Sequence, residues 1–198
     1  MKYTVILCFN LLFVTAVFAQ ELPSKWSANL NIGQYTASLA TVNFSPLHLG
    51  VQGGVTYQWN KNQQHQIIQS ANLAYFYHKD LQHGIQLYSA IGYEWKSKFG
   101  LNIMPLSVGG GYVLSILDMD SFEWDAAAQQ YVERGLTPRN NWIISFGSKI
   151  GYASNLKLLN QPTTFYLSYQ IQIQGIFMDE NIPIIPYTSL MIGMSIPF

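Results

Sequence analysis

Cysteine and charge are both scarce in this sequence of 198 residues. The one cysteine, Cys8, lies in an apolar run near the amino terminus, so a chain without that run would form no disulfide bond and no cysteine-ligated metal site. Basic and acidic residues are balanced at 10 each, so no basic excess points to a nucleic acid partner. Charged residues make up 10% of the chain, against about 25% in typical soluble domains. A protein surface in contact with water would have to consist largely of uncharged residues.

The first residues have the pattern of an export signal. Lys2 precedes an apolar run over residues 5–17, and the tripeptide that ends at Ala19 has the pattern that a signal peptidase reads. The run is too short to be a comfortable membrane-spanning helix. We therefore expect residues 1–19 to be a cleaved signal peptide and residues 20–198 to form a single domain.

The rest of the chain alternates apolar and polar residues with a period of two, which is typical of β-strands. The clearest case is residues 165–174, where Phe165, Leu167 and Tyr169 alternate with Ser168 and Gln170. Eight such segments are separated by turn-rich stretches, and they begin near residues 26, 47, 65, 84, 106, 142, 165 and 188. The pattern predicts an all-β fold of eight antiparallel strands.

Alternation alone leaves two kinds of barrel open. A soluble carrier barrel has its apolar face inside, whereas a membrane barrel has its apolar face outside. The polar face of these strands is almost free of charge and rich in glycine, which suits a crowded interior better than a solvated exterior. The apolar face should then meet lipid, with aromatic residues near the strand ends at the membrane interface. These aromatic residues are Trp26, Tyr57, Trp59, Tyr93, Trp95 and Trp142.

Connection lengths agree with an eight-stranded, antiparallel, up-and-down transmembrane β-barrel. If the first strand starts in the periplasm, the turns on that side are short, and the longest connection, residues 118–140, lies outside. In lipid every backbone group must be paired, so the last strand has to close against the first. The signal peptide, the eight alternating strands and the closing strand that ends in Phe198 resemble the small outer-membrane β-barrel proteins of Gram-negative bacteria.

This resemblance implies a bacterial outer-membrane location and contact with outer-membrane lipid. It also implies insertion by the barrel-assembly machinery, because the terminal aromatic Phe198 is similar to the signal which that machinery reads.

Two charged residues, Glu94 and Lys149, fall on the inward face of the predicted strands. A buried pair would satisfy both charges, whereas a lone buried charge is costly. Since eight strands enclose a space just wide enough for side chains, we predict an ion pair in a plugged polar core. A gated polar path is the alternative.

The outer rim gathers residues that could in principle act on a lipid. His78 and His83 flank the second outer connection, and Asp120 and Ser121 begin the third, so a nucleophile and its base could meet there. No spacing among them matches a specific catalytic motif, and a solvated rim of common polar residues is the simpler interpretation.

The same region holds an acidic series that could bind a divalent cation. Its members are Asp118, Asp120, Glu123 and Asp125. The series lacks the glycine and the spacing of an EF-hand loop, so an exposed acidic face is the simpler interpretation. We expect no cofactor.

Residues 118–140 could extend the neighbouring strands as a hairpin or form a short helix. In either case Phe122, Trp124 and Tyr131 place aromatic residues outside the membrane, where they could anchor a protein interface or fold back over the barrel mouth.

A second apolar outer segment, residues 181–186, contains Ile182 and Ile184 and is too apolar for an ordinary solvated loop. Our leading interpretation is a non-enzymatic binding or accessory protein that contacts another outer-membrane protein through these loops. A lipid-modifying enzyme with its site at the outer rim and a narrow channel for a small solute are the alternatives.

Overall fold

The computed structural model describes residues 24–79, 81–117, 121–125, 129–134, 138–178 and 182–198. The expected signal peptide lies outside these residues. Ten strands run through them: β1 Trp26–Thr36, β2 Leu49–Gln58, β3 His65–His78, β4 Gln82–Lys96, β5 Leu101–Leu117, β6 Ser121–Asp125, β7 Gln130–Arg134, β8 Arg139–Leu158, β9 Gln161–Met178 and β10 Ile182–Pro197. None of the described residues belongs to a helix that could cross a membrane.

Eight of the strands form a closed barrel in which sequence neighbours pair, with β5 next to β8 and β10 next to β1. Every pairing is antiparallel. The closing register runs from Ser27 opposite Pro197 to Thr36 opposite Thr188. The backbone N–H of Phe198 extends it by donating to the Trp26 carbonyl at 3.2 Å. The prediction of an all-β, eight-stranded antiparallel barrel is confirmed.

Strands β6 and β7 form a separate two-stranded sheet within the connection between β5 and β8. We call this sheet the outer ribbon. The end of the barrel that holds Trp26 and Pro197 is called the terminus end, and the end from which the connection to the outer ribbon leaves is called the loop end.

The wall of the barrel presents apolar side chains outward and most of its polar side chains inward. On β1, Leu30 and Ile32 are exposed while Asn31 between them is buried. The same alternation continues on β4, where Leu87 is exposed between the buried Gln86 and Tyr88. This is the orientation that the charge-poor composition predicted.

The wall is not equally tall all round. Strands β1 and β2 have 11 and 10 residues, whereas β5, β8 and β9 have 17, 20 and 18. About 9–11 tilted residues suffice to cross a bilayer core. The β5–β8–β9 side is therefore long enough to rise above a membrane, and the β1–β2 side is not.

Several strand boundaries differ from the sequence-based prediction: β5 begins at Leu101 rather than near residue 106, and β9 begins at Gln161 rather than near residue 165. The turn between β8 and β9 consists of Leu159 and Asn160, which both have positive φ (53° and 62°), as a two-residue hairpin of the type I′ class requires. The prediction of a loop over residues 181–186 was wrong, because β10 begins at Ile182. The wall continues there because β9 pairs with this segment, and a register shift between Ile182 and Ile184 accommodates its first proline.

Candidate functional sites at the two ends of the barrel

The loop-end half of the interior is packed with large side chains. The rings of Tyr35 and Phe76 stack with their centres 4.7 Å apart, and the Phe76 and Tyr187 rings lie 5.1 Å apart. Met191 and Ile185 complete this buried cluster. The predicted polar core is therefore only partly right, since an apolar cluster fills the part of the interior nearest the loops. We call these five residues the aromatic seal.

Inward glycines make room for the aromatic seal. A Cβ atom at Gly50 would collide with the Tyr35 ring, and one at Gly84 would collide with the Phe76 ring. These glycines face the seal from β2 and β4, and their lack of a side chain leaves space for the rings of Tyr35 and Phe76. The sequence shows the glycines on the inward parity, but it does not show which rings they accommodate.

Neutral amides bridge the interior next to the aromatic seal. Gln86 and Gln172 exchange two side-chain hydrogen bonds of 3.0 and 3.1 Å across the barrel. The Gln82 amide donates to Gln174 at 3.0 Å and to the Tyr187 hydroxyl at 2.6 Å. All four glutamines are buried. Gln86 and Gln172 each donate to and accept from the other, which makes such a pair suitable for a region that water does not reach, whereas Gln82 Oε1 has no hydrogen-bond partner among the described residues.

The terminus-end half is more open and carries charge. A cavity of about 320 Å³ lies there, and its lining includes Gln66, Glu94, Lys96, Asn102 and Lys149. A smaller cavity of about 70 Å³ shares part of that lining and extends to Tyr88, the first ring of the packed half. We call the larger cavity the vestibule.

The two residues predicted to form an interior ion pair are both in the vestibule. The Lys149 ammonium lies 2.8 Å from Glu94 Oε1, and the Lys96 ammonium lies 3.5 Å from Glu94 Oε2. Lys149 also lies 4.9 Å from the centre of the Tyr166 ring. The contact of Lys96 with Glu94 was not predicted from the sequence, although the two residues share the same strand parity.

The two histidines proposed for catalysis lie on opposite faces of the wall. His78 points into the loop end of the barrel, where its ring stacks on His48 with centres 3.7 Å apart. His83 points outward, where its Nδ1 lies 2.9 Å from the Tyr75 hydroxyl and its ring stacks on Tyr77. The sheet therefore separates His78 from His83.

The other two members of that proposed catalytic group are Asp120 and Ser121. Asp120 lies outside the described residues, and Ser121 is described only as the first residue of β6. Of the acidic series, Asp118 also lies outside them, while Glu123 and Asp125 lie along β6. Within the ranges that the structure describes, no group of three or more His, Asp or Glu residues is placed to hold a metal ion.

Three of the predicted binding residues, Phe122, Trp124 and Tyr131, lie on the strands of the outer ribbon. Trp124 lies opposite Tyr131, and Phe122 lies opposite Glu133. The connection therefore forms a hairpin, one of the two structures that its sequence allowed. The remaining two, Ile182 and Ile184, lie not in a loop but at the start of β10, where Ile184 is exposed and its neighbour Ile185 joins the aromatic seal.

Comparison with protein-family models and with curated protein sequences finds no match. Among solved structures, Neisserial surface protein A (NspA) is similar with a TM-score of 0.55 at 9% identity, over 90% of this chain and 100% of that one. The outer membrane enzyme PagL matches with a TM-score of 0.48 at 10% identity, over 87% and 99%. Ail, the attachment invasion locus protein of Yersinia pestis, matches with a TM-score of 0.47 at 12% identity, over 89% and 100%. With the closed topology described above, the similarity to NspA shows that this chain has the fold of the small eight-stranded outer-membrane β-barrels.

Proposed function

We propose that this protein is a non-enzymatic binding protein of the bacterial outer membrane, and that its outer ribbon contacts a protein partner. One observation carries the proposal: β6 and β7 pair with each other and, among the strands that the structure describes, with no strand of the barrel. Within the part of the chain that the structure describes, each of the two strands therefore has one edge without a β-partner. Such an edge is a ready template for a strand from another chain.

The sequence of the outer ribbon supports an interface. Trp124 and Tyr131 occupy directly opposed positions, and Phe122 follows the same parity along β6. Aromatic residues of this kind are frequent anchors of protein interfaces. The connection over residues 118–140 holds five acidic and two basic residues, so a partner with a basic surface would be electrostatically complementary.

The interior favours this function over passage of a solute. The aromatic seal is buried, and two pairs of glutamines bridge the barrel beside it. The separation of His78 and His83 by the sheet likewise lowers the case for a lipid-modifying site at the rim.

Site-specific photocrosslinking in native outer membranes tests the proposal. A photoreactive phenylalanine analogue at Trp124 is expected to give a discrete protein adduct, identifiable by mass spectrometry after extraction in mild detergent. The matched control places the analogue at Tyr112, an aromatic residue on the outward face of β5, where lipid adducts are expected instead. Lipid adducts alone at Phe122, Trp124 and Tyr131, in a protein that is recovered in the outer membrane, would count against the proposal. Absence of the protein from the outer-membrane fraction would overturn the location itself.

A further inference from the structure

The outward face of the barrel is covered at one place near the loop end. On β1 the outward residue Ile32 is 59% exposed, but the next outward residue, Gln34, is only 2% exposed. Thr36 and its partner on β10, Thr188, also have outward parity and are also buried. The chain segment that covers all three is the connection between β1 and β2, residues 37–48, which we call the collar loop.

Hydrogen bonds from the wall hold the backbone of the collar loop. The Gln34 amide donates to the carbonyls of Asn43 and Pro46 at 2.7 and 3.2 Å and accepts from the His48 backbone N–H at 2.7 Å. Both the nitrogen and the oxygen of the Gln34 side-chain amide are therefore hydrogen-bonded to the loop. A loop that extended into water would leave this side chain without these partners.

The two threonines add four contacts to the same backbone. The Thr36 hydroxyl accepts from the Asn43 N–H at 3.1 Å and lies 3.3 Å from the Asn43 carbonyl. The Thr188 hydroxyl accepts from the Ala40 N–H and donates to the Ser38 carbonyl, both at 2.9 Å. Because the backbone groups of the collar loop bind the wall, several of its side chains are left facing away from the barrel.

Three of the exposed side chains of the collar loop are large and apolar. Leu39, Phe44 and Leu47 are 63%, 62% and 60% exposed. The collar loop contains no Asp, Glu, Lys or Arg, in contrast to the seven charged residues of the connection over 118–140. Three large apolar side chains exposed within twelve residues that carry no charge are unfavourable in water.

The position of the collar loop relative to the membrane explains this composition. It joins β1 and β2, the two short strands, so it leaves the wall close to the height at which about 9–11 tilted residues reach the bilayer boundary. Leu47 continues the outward row of Leu49 and Val51 on β2, all of which are exposed. The apolar surface of the loop is therefore continuous with the lipid-facing surface of the barrel.

We infer that the collar loop is a membrane-interface element, in which Leu39, Phe44 and Leu47 contact the lipid of the leaflet at the loop end and Gln34, Thr36 and Thr188 hold the loop against the wall. The occupant of this surface is lipid. The inference is independent of the outer ribbon, because it concerns the opposite, shorter side of the barrel.

Single-cysteine labelling is a direct test, because the chain after residue 19 contains no cysteine. Leu39→Cys, Phe44→Cys and Leu47→Cys would each carry a small fluorophore in the barrel refolded into phosphatidylcholine vesicles. Ile32→Cys is the lipid-facing control, and Gln63→Cys, in the exposed turn between β2 and β3, is the water-facing control. Quenching by spin-labelled lipid is then compared with quenching by iodide supplied on both sides of the vesicle membrane, because Gln63 and the collar loop lie at opposite ends of the barrel.

The three collar positions are expected to be quenched by spin-labelled lipid nearly as strongly as position 32, and by iodide several-fold less than position 63. Strong iodide quenching with weak lipid quenching would overturn the inference, because the loop would then be in water. Protection from both quenchers would overturn it too, since a second protein copy would then cover the surface.

A second variant tests the hydrogen bonds that hold the loop. Gln34→Ala in the Leu47→Cys protein should raise iodide quenching at position 47 several-fold. Gln58→Ala is the matched control, because Gln58 donates a similar bond to the Asn62 carbonyl at the terminus end and should leave position 47 unchanged. Retained folding is checked by the altered electrophoretic mobility of the unheated barrel. No change in Gln34→Ala would contradict the holding role of Gln34.

Discussion

The two halves of the barrel interior are enclosed by the same eight strands, but they are filled differently. At the loop end, Tyr35, Phe76 and Met191 are fully buried and in contact. At the terminus end, inward positions of the wall carry small residues such as Thr56 and Ser195, and the vestibule remains. An eight-stranded barrel is just wide enough for its side chains. Whether a given level is filled therefore depends on the side-chain volumes at that level.

The two halves also differ in how they satisfy polar groups. The ion pair of Glu94 and Lys149 lies in the vestibule, next to the partly exposed Lys96, where water can share the cost of desolvating the charges. The packed half uses the uncharged pairs Gln86–Gln172 and Gln82–Gln174 instead. The comparison teaches that charge is placed where solvent has access and that neutral amides are placed where it has little.

Removing a ring from the aromatic seal should have the largest effect on stability. Phe76→Ala is expected to lower the free energy of unfolding by about 3–5 kcal/mol, because a large cavity opens among fully buried neighbours. Ile68→Ala is the control from the other half: Ile68 is buried but borders both cavities, so its loss should be nearer about 2 kcal/mol. Urea unfolding in vesicles measures both. Equal losses would contradict the difference in packing between the two halves.

Breaking the ion pair should have the next largest effect. Glu94→Gln leaves the Lys149 ammonium without a carboxylate at 2.8 Å, with an expected loss of about 2 kcal/mol, less than for a fully enclosed pair because the vestibule admits water. Lys149→Met in the same background should restore part of that loss. A double-mutant cycle reports the coupling between the two residues, and strictly additive losses would show that the pair does not stabilise the barrel.

The glutamine pair should show a smaller effect that a compensating change reverses. Gln86→Leu leaves the buried Gln172 amide without its partner, at a cost of about 1.5 kcal/mol. Gln86→Leu with Gln172→Leu removes both amides and should recover most of the stability. If the double variant is instead less stable than Gln86→Leu alone, the two amides stabilise the barrel by more than satisfying each other's hydrogen bonds.

The smallest effect is expected at a glycine with free space. A Cβ at Gly53 would meet no atom closer than 4.0 Å, so Gly53→Ala should change the free energy of unfolding by no more than about 0.5 kcal/mol. Gly84→Ala provides the contrast, because the Phe76 ring occupies the space beside Gly84, and a loss of about 1 kcal/mol or more is expected. Similar results at the two positions would show that the seal can move to accommodate a methyl group.

The inward and outward faces of a strand could be assigned from the sequence where every second residue is polar, as over residues 168–174 of β9. It was ambiguous in β3, where Ile68 and Phe76 point inward although they are apolar. The start of β10 was misread as a loop because Pro183 and Pro186 are residues that rarely occur inside a strand. Pairing with β9 keeps it in the wall, and that pairing is a contact between distant parts of the chain.

The candidate sites were less predictable than the fold. Parity placed Glu94 and Lys149 inside, but their distance depends on the registers of β4 with β5 and of β5 with β8, both of which include a shift. Likewise, the composition of residues 37–48 shows a loop without charge, yet only the hydrogen bonds to Gln34 and Thr188 reveal that it folds against the wall.

The sequence by itself determined the all-β class, the number of barrel strands and the face that most strands turn outward, because a period of two and a charge-poor polar face are local properties of the chain. Only the tertiary structure decided that the interior is packed at one end and open at the other, that the sheet separates His78 from His83, and that the collar loop lies on the outer wall. These features depend on which residues meet across the closed barrel, and that is set by register and side-chain volume rather than by any single segment.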